Sequence, residues 1–236
     1  MIKFIMLFII SFLPPAIYAI WIRNTEKYER EPWHAIFIAF LWGASIAIIA
    51  SLILEILLSI PVYSSFKDYS IASFIIAVII APFAEELTKP LALSLKGVKK
   101  EINEVEDGLV YGAIAGLGFS ATENLFYAMG FLSYGLLLFF ILVAIRSIGG
   151  CLLHASATAL TGYGYSKYLM GIEKFSAVLH YFILAMAIHS FYNFVLSFEL
   201  LGGLTGIFIA IIFAISCIRY VRQKIIELDR MQENLL

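Results

Sequence analysis

The sequence predicts an all-α polytopic membrane bundle of about seven transmembrane helices, and three observations carry that prediction. Hydrophobic residues make up 62% of the 236-residue chain and charged residues only 14%, against about half and about a quarter in soluble domains; the mean hydropathy is +0.94. Seven apolar runs are each long enough to cross a bilayer. Lys and Arg gather in alternate connections between those runs.

The runs fall at 4–22, 35–60, 71–95, 109–131, 136–163, 175–198 and 200–220. The first has only Lys3 before it and Arg23, Lys27 and Arg30 after it, so it reads as a retained helix rather than a cleaved signal. Segments 23–34, 96–107 and 164–174 and the tail, with Arg219 at its helix end, hold twelve of the sixteen Lys and Arg; the alternate connections hold Lys3 and Lys67. Basic charge on the cytoplasmic side then puts the N-terminus outside and the C-terminus in the cytoplasm, which requires an odd number of spans. In the third run Pro90 lacks an N–H and clashes with the carbonyl of Glu86, which predicts a loosened backbone there. Small-residue faces, Gly112, Ala115, Gly116 and Ser120 on the fourth run and Gly149, Gly150 and Ala155 on the fifth, predict close helix contacts. Residues 221–236 read as an amphipathic tail at the cytoplasmic surface.

The chain therefore reads as one transmembrane domain over 1–236, without internal repeat, expected in the cell membrane as a multi-pass protein. A net charge of −1 argues against a nucleic-acid partner, because there is no basic surplus to release counterions. Cys151 and Cys217 both fall inside spans, far apart in sequence, and read as small buried hydrophobes rather than a disulfide framework.

Charge inside the spans is what packing does not ask for. A charged side chain at the bilayer centre costs about 2.5 to 3.5 kcal/mol on insertion scales, yet Glu85, Glu86 and Lys89 lie within five residues. On a helix Lys89 is i+4 from Glu85 and i+3 from Glu86, so either carboxylate can neutralise it. One Glu is left over. The other buried polar residues are Glu123, Asn124 and Tyr127 on the fourth run, Arg146 and His154 on the fifth, and His189 and Asn193 on the sixth. At the helical rise, Glu85, Glu123, His154 and His189 lie roughly 14 to 21 Å from the cytoplasmic ends of their spans, so four helices bring them to one slab. Singly, each histidine would read as a core residue bonded to a backbone carbonyl; the shared depth with carboxylates makes them a site. Glu55, alone on the outer half of its span, is expected to turn outward or pair locally.

Such a set supports hydrolysis. A carboxylate in a low-dielectric pocket activates water, an imidazole shares or returns the proton, and an amide or second imidazole donates to a developing oxyanion. Glu85, His154 and His189 equally make a three-ligand zinc site with an open position; both alternatives stand. There is no H-E-x-x-H sequence, and Asp68, Asp107 and Asp229 all lie in connections or the tail, which leaves a paired-aspartate mechanism without groups at depth. Ser120 sits on the small-residue face and is more simply a packing residue than a nucleophile.

In their order on successive spans, Glu85-Glu86-x-x-Lys89, Glu123-Asn124-x-x-Tyr127, Arg146 ahead of His154, and His189-x-x-x-Asn193 resemble the PrsW family of intramembrane proteases. More distantly they are similar to the CAAX prenyl endopeptidase and bacteriocin-immunity superfamily, from which Lys89 in place of an Arg separates them. The resemblance implies a peptidase that clips a membrane-anchored protein, such as an anti-sigma factor. By motif, Glu85 would be the water-activating base with Glu86 and Lys89 beside it, His154 would complete water binding, and His189 with Asn193 would form the oxyanion side. Glu123 would be a second catalytic or ligand carboxylate or the partner of Arg146, and Asn124 and Tyr127 would support the site from behind. A homo-oligomer is open as a further partner. The rival readings are a proton- or ion-coupled transporter and a non-catalytic immunity or scaffold protein of the same fold; against the first, no second copy of the Glu-Glu segment exists to make a repeat.

Overall fold

The apolar runs fold as helices in a computed structural model that describes residues 2–201 and 203–233, and no strand occurs among the described residues. The first run is α1 (Ile2–Arg23). The second is α2 (Trp33–Trp42) and α3 (Ile48–Ser65), joined by one wide π turn at Gly43–Ala47. The third is α4 (Tyr69–Ile75), a π turn at Ile76–Ile80, α5 (Ala81–Thr88) and a 3-10 segment at Lys89–Ser94. After the short α6 (Lys96–Lys99) come α7 (Val105–Phe131), α8 (Leu136–Ile145) joined to α9 (Cys151–Leu169) through a π turn at Arg146–Gly150, α10 (Ser176–Ser197) and α11 (Gly203–Glu233).

Six helical stretches among the described residues are long and apolar enough to cross a membrane: Lys3–Arg23, Trp33–Ser65, Tyr69–Ser94, Leu136–Leu169, Ser176–Ser197 and Gly203–Met231. The fourth expected span, 109–131, falls in α7 but is less apolar than these. The reason is its position. α7 packs against α9, α1 and α2 and is buried from Glu106 to Ala121 without a break, so it needs small residues for close approach more than apolar ones for lipid. The lipid-facing surface lies instead on helices such as α1 and α3, with Phe4, Ile9, Ile49 and Ile56 about half exposed or more.

The glycines of α7 set the distance to α9. A Cβ on Gly116 would stand 2.2 Å from the carbonyl oxygen of His154, a backbone atom that cannot swing aside. Gly116→Ala is therefore expected to lower stability by about 1 to 3 kcal/mol and to displace His154, whereas Gly130→Ala, with nothing within 4 Å of its Cβ, should leave both stability and activity near wild type. Thermal unfolding in detergent micelles checks the pair.

At the end where the charged connections meet, α11 continues through position 220 as a single helix, with Val221 and Ile225 buried. Asp229 accepts the backbone N–H groups of Lys27 and Tyr28 at 3.2 to 3.3 Å, which fixes the tail to the 24–32 connection. Residue 202 of the seventh expected span and 234–236 of the expected tail lie outside the described residues.

Candidate active site

The site begins with α5. Lys89 at its end donates to Glu86 Oε1 at 2.7 Å and to Glu85 Oε2 at 3.2 Å, the two helical spacings drawn from one ammonium. Regular helix stops at Thr88, just ahead of Pro90, and the chain tightens into the 3-10 segment. The indole N–H of Trp42 donates to the Thr88 carbonyl at 3.1 Å.

The two glutamates differ in surroundings. Glu86 is fully buried, and besides Lys89 it faces His189 Nδ1 at 2.8 Å and accepts from the Thr158 hydroxyl at 3.0 Å. Both its oxygens are occupied. Glu85 has its Oε2 on Lys89 and turned toward two ring nitrogens, His154 Nδ1 at 3.6 Å and His189 Nε2 at 3.9 Å. The imidazole rings lie 4.9 Å apart at 89°.

Behind His154 stands Glu123, whose Oε2 is 2.8 Å from His154 Nε2 and 2.5 Å from the Arg146 guanidinium. Arg146 also donates to Asn124 Oδ1 at 2.7 Å and lies 3.9 Å over the Tyr127 ring. Each histidine is thereby fixed by a carboxylate at one nitrogen, which therefore carries the proton. The other nitrogen, Nδ1 of His154 or Nε2 of His189, is turned toward Glu85. Asn193 donates to the Ala77 carbonyl at 2.9 Å, in the π turn at Ile76–Ile80.

Three carboxylates against Lys89 and Arg146 leave one negative charge in excess. It falls at Glu85, on the wall of a cavity of about 490 Å³ that Glu123, His154, His189, Asn193, Arg146 and Tyr127 also line. The lining continues along α3 to Tyr63 and along α10 to Ser197, toward the bundle end opposite the 24–32 connection. Glu86, Lys89 and Asn124 stand behind this wall. Two residues that the sequence did not mark belong here: Thr158, which holds Glu86, and Tyr192, buried in the cavity wall; Glu55, expected to turn outward or pair locally, lies on the same wall. Thr158 is four residues after His154 and Tyr192 three after His189, so helical spacing from the histidines was the available signal.

The donor set fits a metal. Glu85, His154 and His189 each offer one ligand atom, all within 4.8 Å of one another, and two imidazoles with one carboxylate match three-ligand catalytic zinc sites. A carboxylate behind each ligating imidazole is the usual way its orientation is set. Lys89 Nζ also reaches His154 Nδ1, at 3.0 Å, so that nitrogen is shared with the ammonium.

Residues 31–218 match the family described as PrsW family intramembrane metalloprotease. A relative from Clostridioides difficile (strain 630), named Protease PrsW, is 29% identical over 201 residues, covering 82% of this chain and 80% of its own. No solved structure matches.

Proposed function

The chain belongs to the PrsW protease family, and on that premise we propose that it is an endopeptidase of the cell membrane that cuts a membrane-anchored protein substrate with water activated by Glu85. One observation carries the assignment. Glu85 is the carboxylate left over once Lys89 and Arg146 are neutralised, and it borders the cavity with a ring nitrogen of each histidine turned toward it.

In this reading a water molecule in the cavity gives its proton to Glu85 as its oxygen attacks the scissile carbonyl carbon. Charge moves to the carbonyl oxygen, for which the second amide N–H of Asn193 would be the donor, while His189, its proton committed from Nδ1 to Glu86, would hold the water side. When the C–N bond breaks, the proton held on Glu85 passes to the leaving amine. Glu86 and Glu123 act on the reaction by holding His189 and His154 in place. In the alternative, Glu85, His154 and His189 would together hold a zinc ion, which when bound supplies a Lewis acid for water and carbonyl, and Glu85 would then serve as a ligand instead of the base. Seven spans with the N-terminus outside would open the cavity toward the outer half of the bilayer, which favours substrates whose scissile bond lies there.

The test uses purified protein in vesicles with a single-pass substrate. Cleavage should fall at least about tenfold after chelation and return with zinc, since an ion that lowers the pKa of water to about 7 has no replacement in the side chains. Unchanged cleavage by protein shown to be metal-free would remove zinc and leave Glu85 acting alone. No cleavage by wild-type protein under any metal condition would overturn the protease reading of this site.

A further inference from the structure

Away from the cavity, a second set of acidic side chains is buried where the 24–32 connection meets the start of α7. Glu26, Glu31 and Asp107 are 1%, 3% and 1% exposed, and each offers a carboxylate oxygen within 4.8 Å of the others. Buried carboxylates this close have lost their water and repel one another, so they need protons, hydrogen bonds or a cation. Hydrogen bonds account for part of the need. Asp107 Oδ2 accepts the amides of Asn103 and Glu104, both at 2.7 Å; the Tyr111 hydroxyl donates to Glu31 Oε2; and the Glu31 amide reaches Glu26 Oε2 at 3.4 Å. Glu26 Oε1 is buried with no partner at all.

The neighbouring arginines do not fill that gap. Arg23 and Arg30 direct their Nε groups to the backbone carbonyls of Glu31 and Glu26, at 2.6 and 2.8 Å. Burial pushes Glu26 up to about 9 and Glu31 up to about 10; Asp107 adds to both rises and Glu26 to that of Glu31, while the Glu31 amide holds Glu26 back in part. Neither Nε group reaches a carboxylate of the cluster, so a bound cation would displace the protons that burial otherwise keeps there.

We propose that Glu26, Glu31 and Asp107 form a binding site for a hard divalent cation of the calcium or magnesium class, which ties the 24–32 connection to the N-terminus of α7. Three oxygen donors with no imidazole or thiolate select that class over zinc or copper. Glu26 Oε1 supplies the ligand atom that has no other partner. Asp107 keeps its Oδ2 on the α7 cap, and the cation would replace the hydrogen bond that its carboxyl group shares with Glu31. The site stands apart from Glu85 and its histidines and does not depend on what they hold. Its effect on them is through α7, which carries Glu123 and the glycine against which His154 sits.

The experiment is a titration of divalent-free purified protein in detergent with calcium or magnesium chloride separately, read by melting temperature. Terbium luminescence sensitised through Tyr and Trp gives a second readout. At least one cation should raise the melting temperature by roughly 5 °C or more when a hundredfold above its Kd, with half-effect below about 1 mM. Glu26→Gln, which keeps the acceptor for the Glu31 amide, should weaken the response at least tenfold, and Glu85→Gln should leave it in place. A response to calcium alone or to magnesium alone names the ion and supports the site. No shift with either cation overturns the proposal, as does a response that survives Glu26→Gln or disappears in Glu85→Gln. Should Glu26→Gln fail to fold, the wild-type titration with calcium competing against terbium decides the matter by the same outcomes.

Discussion

Glu85→Gln is expected to cut the cleavage rate by about 10² to 10⁴-fold or more while leaving the bundle folded. The carboxamide has the shape of the carboxylate and still offers an oxygen to Lys89, which keeps its closer partner Glu86 at 2.7 Å. What is lost is the base, and general-base catalysis contributes about 10² to 10⁴ in rate. The residue lies 8% exposed at the cavity wall rather than in the packed interior, so the melting temperature should move by no more than a few degrees. Rate and melting temperature measured on one preparation separate the two effects. A proportional fall in both would make Glu85 a structural residue.

Lys89→Met is expected to damage the fold as well as the activity. The ammonium is completely buried and meets Glu86, Glu85 and His154 Nδ1 within 3.2 Å, with the Phe119 ring at 4.6 Å on another side. Removing it leaves two adjacent carboxylates with no ammonium between them, and breaking a buried pair in this way costs about 3 to 5 kcal/mol. That corresponds to a fall of roughly 10 °C in melting temperature for a chain of this length. The double change Glu86→Gln with Lys89→Met removes one charge of each sign and should recover part of the stability. Activity should stay lost, because His189 then has no carboxylate on Nδ1. A Lys89→Met protein that melts with the wild type would contradict the network.

Much of this site could be read from the residues alone. Helical rise converts sequence distance from a charged connection into depth, and Glu85, Glu123, His154 and His189 share a depth because each lies a similar number of residues into its span. The structure brings these four together. Which glutamate faces the cavity was less legible, since Glu85 and Glu86 are neighbours with the same chemistry. The difference comes from α9 and α10, which send the Thr158 hydroxyl and His189 Nδ1 to Glu86 and leave Glu85 on the cavity wall. The three π turns escaped as well. Each rotates the helix past it, and those at Ile76–Ile80 and Arg146–Gly150 carry cavity residues, yet an apolar run gives no sign of one extra residue per turn.

Hydropathy alone marks α7 least well, because a helix surrounded by protein is selected for small side chains rather than for lipid contact. Glu55 illustrates the converse: a lone carboxylate in an apolar run reads as turned away or paired locally, and only the packing of α3 against α5 and α7 puts it on the cavity wall. Glu26, Glu31 and Asp107 sit in connections rich in charge, where nothing in the residue order marks them as buried. Their burial comes from the docking of the 24–32 connection on α7 and α11, a contact between segments far apart in the chain.

The most direct test of the central claim is mass spectrometry of a single-pass substrate incubated with the purified protein in vesicles made up in water enriched in oxygen-18. One new carboxyl terminus is expected, in or at the edge of the substrate's transmembrane segment, carrying oxygen-18 with wild-type protein and absent with Glu85→Gln. Intact substrate with the wild type, or equal cleavage by the folded Glu85→Gln protein, would contradict it.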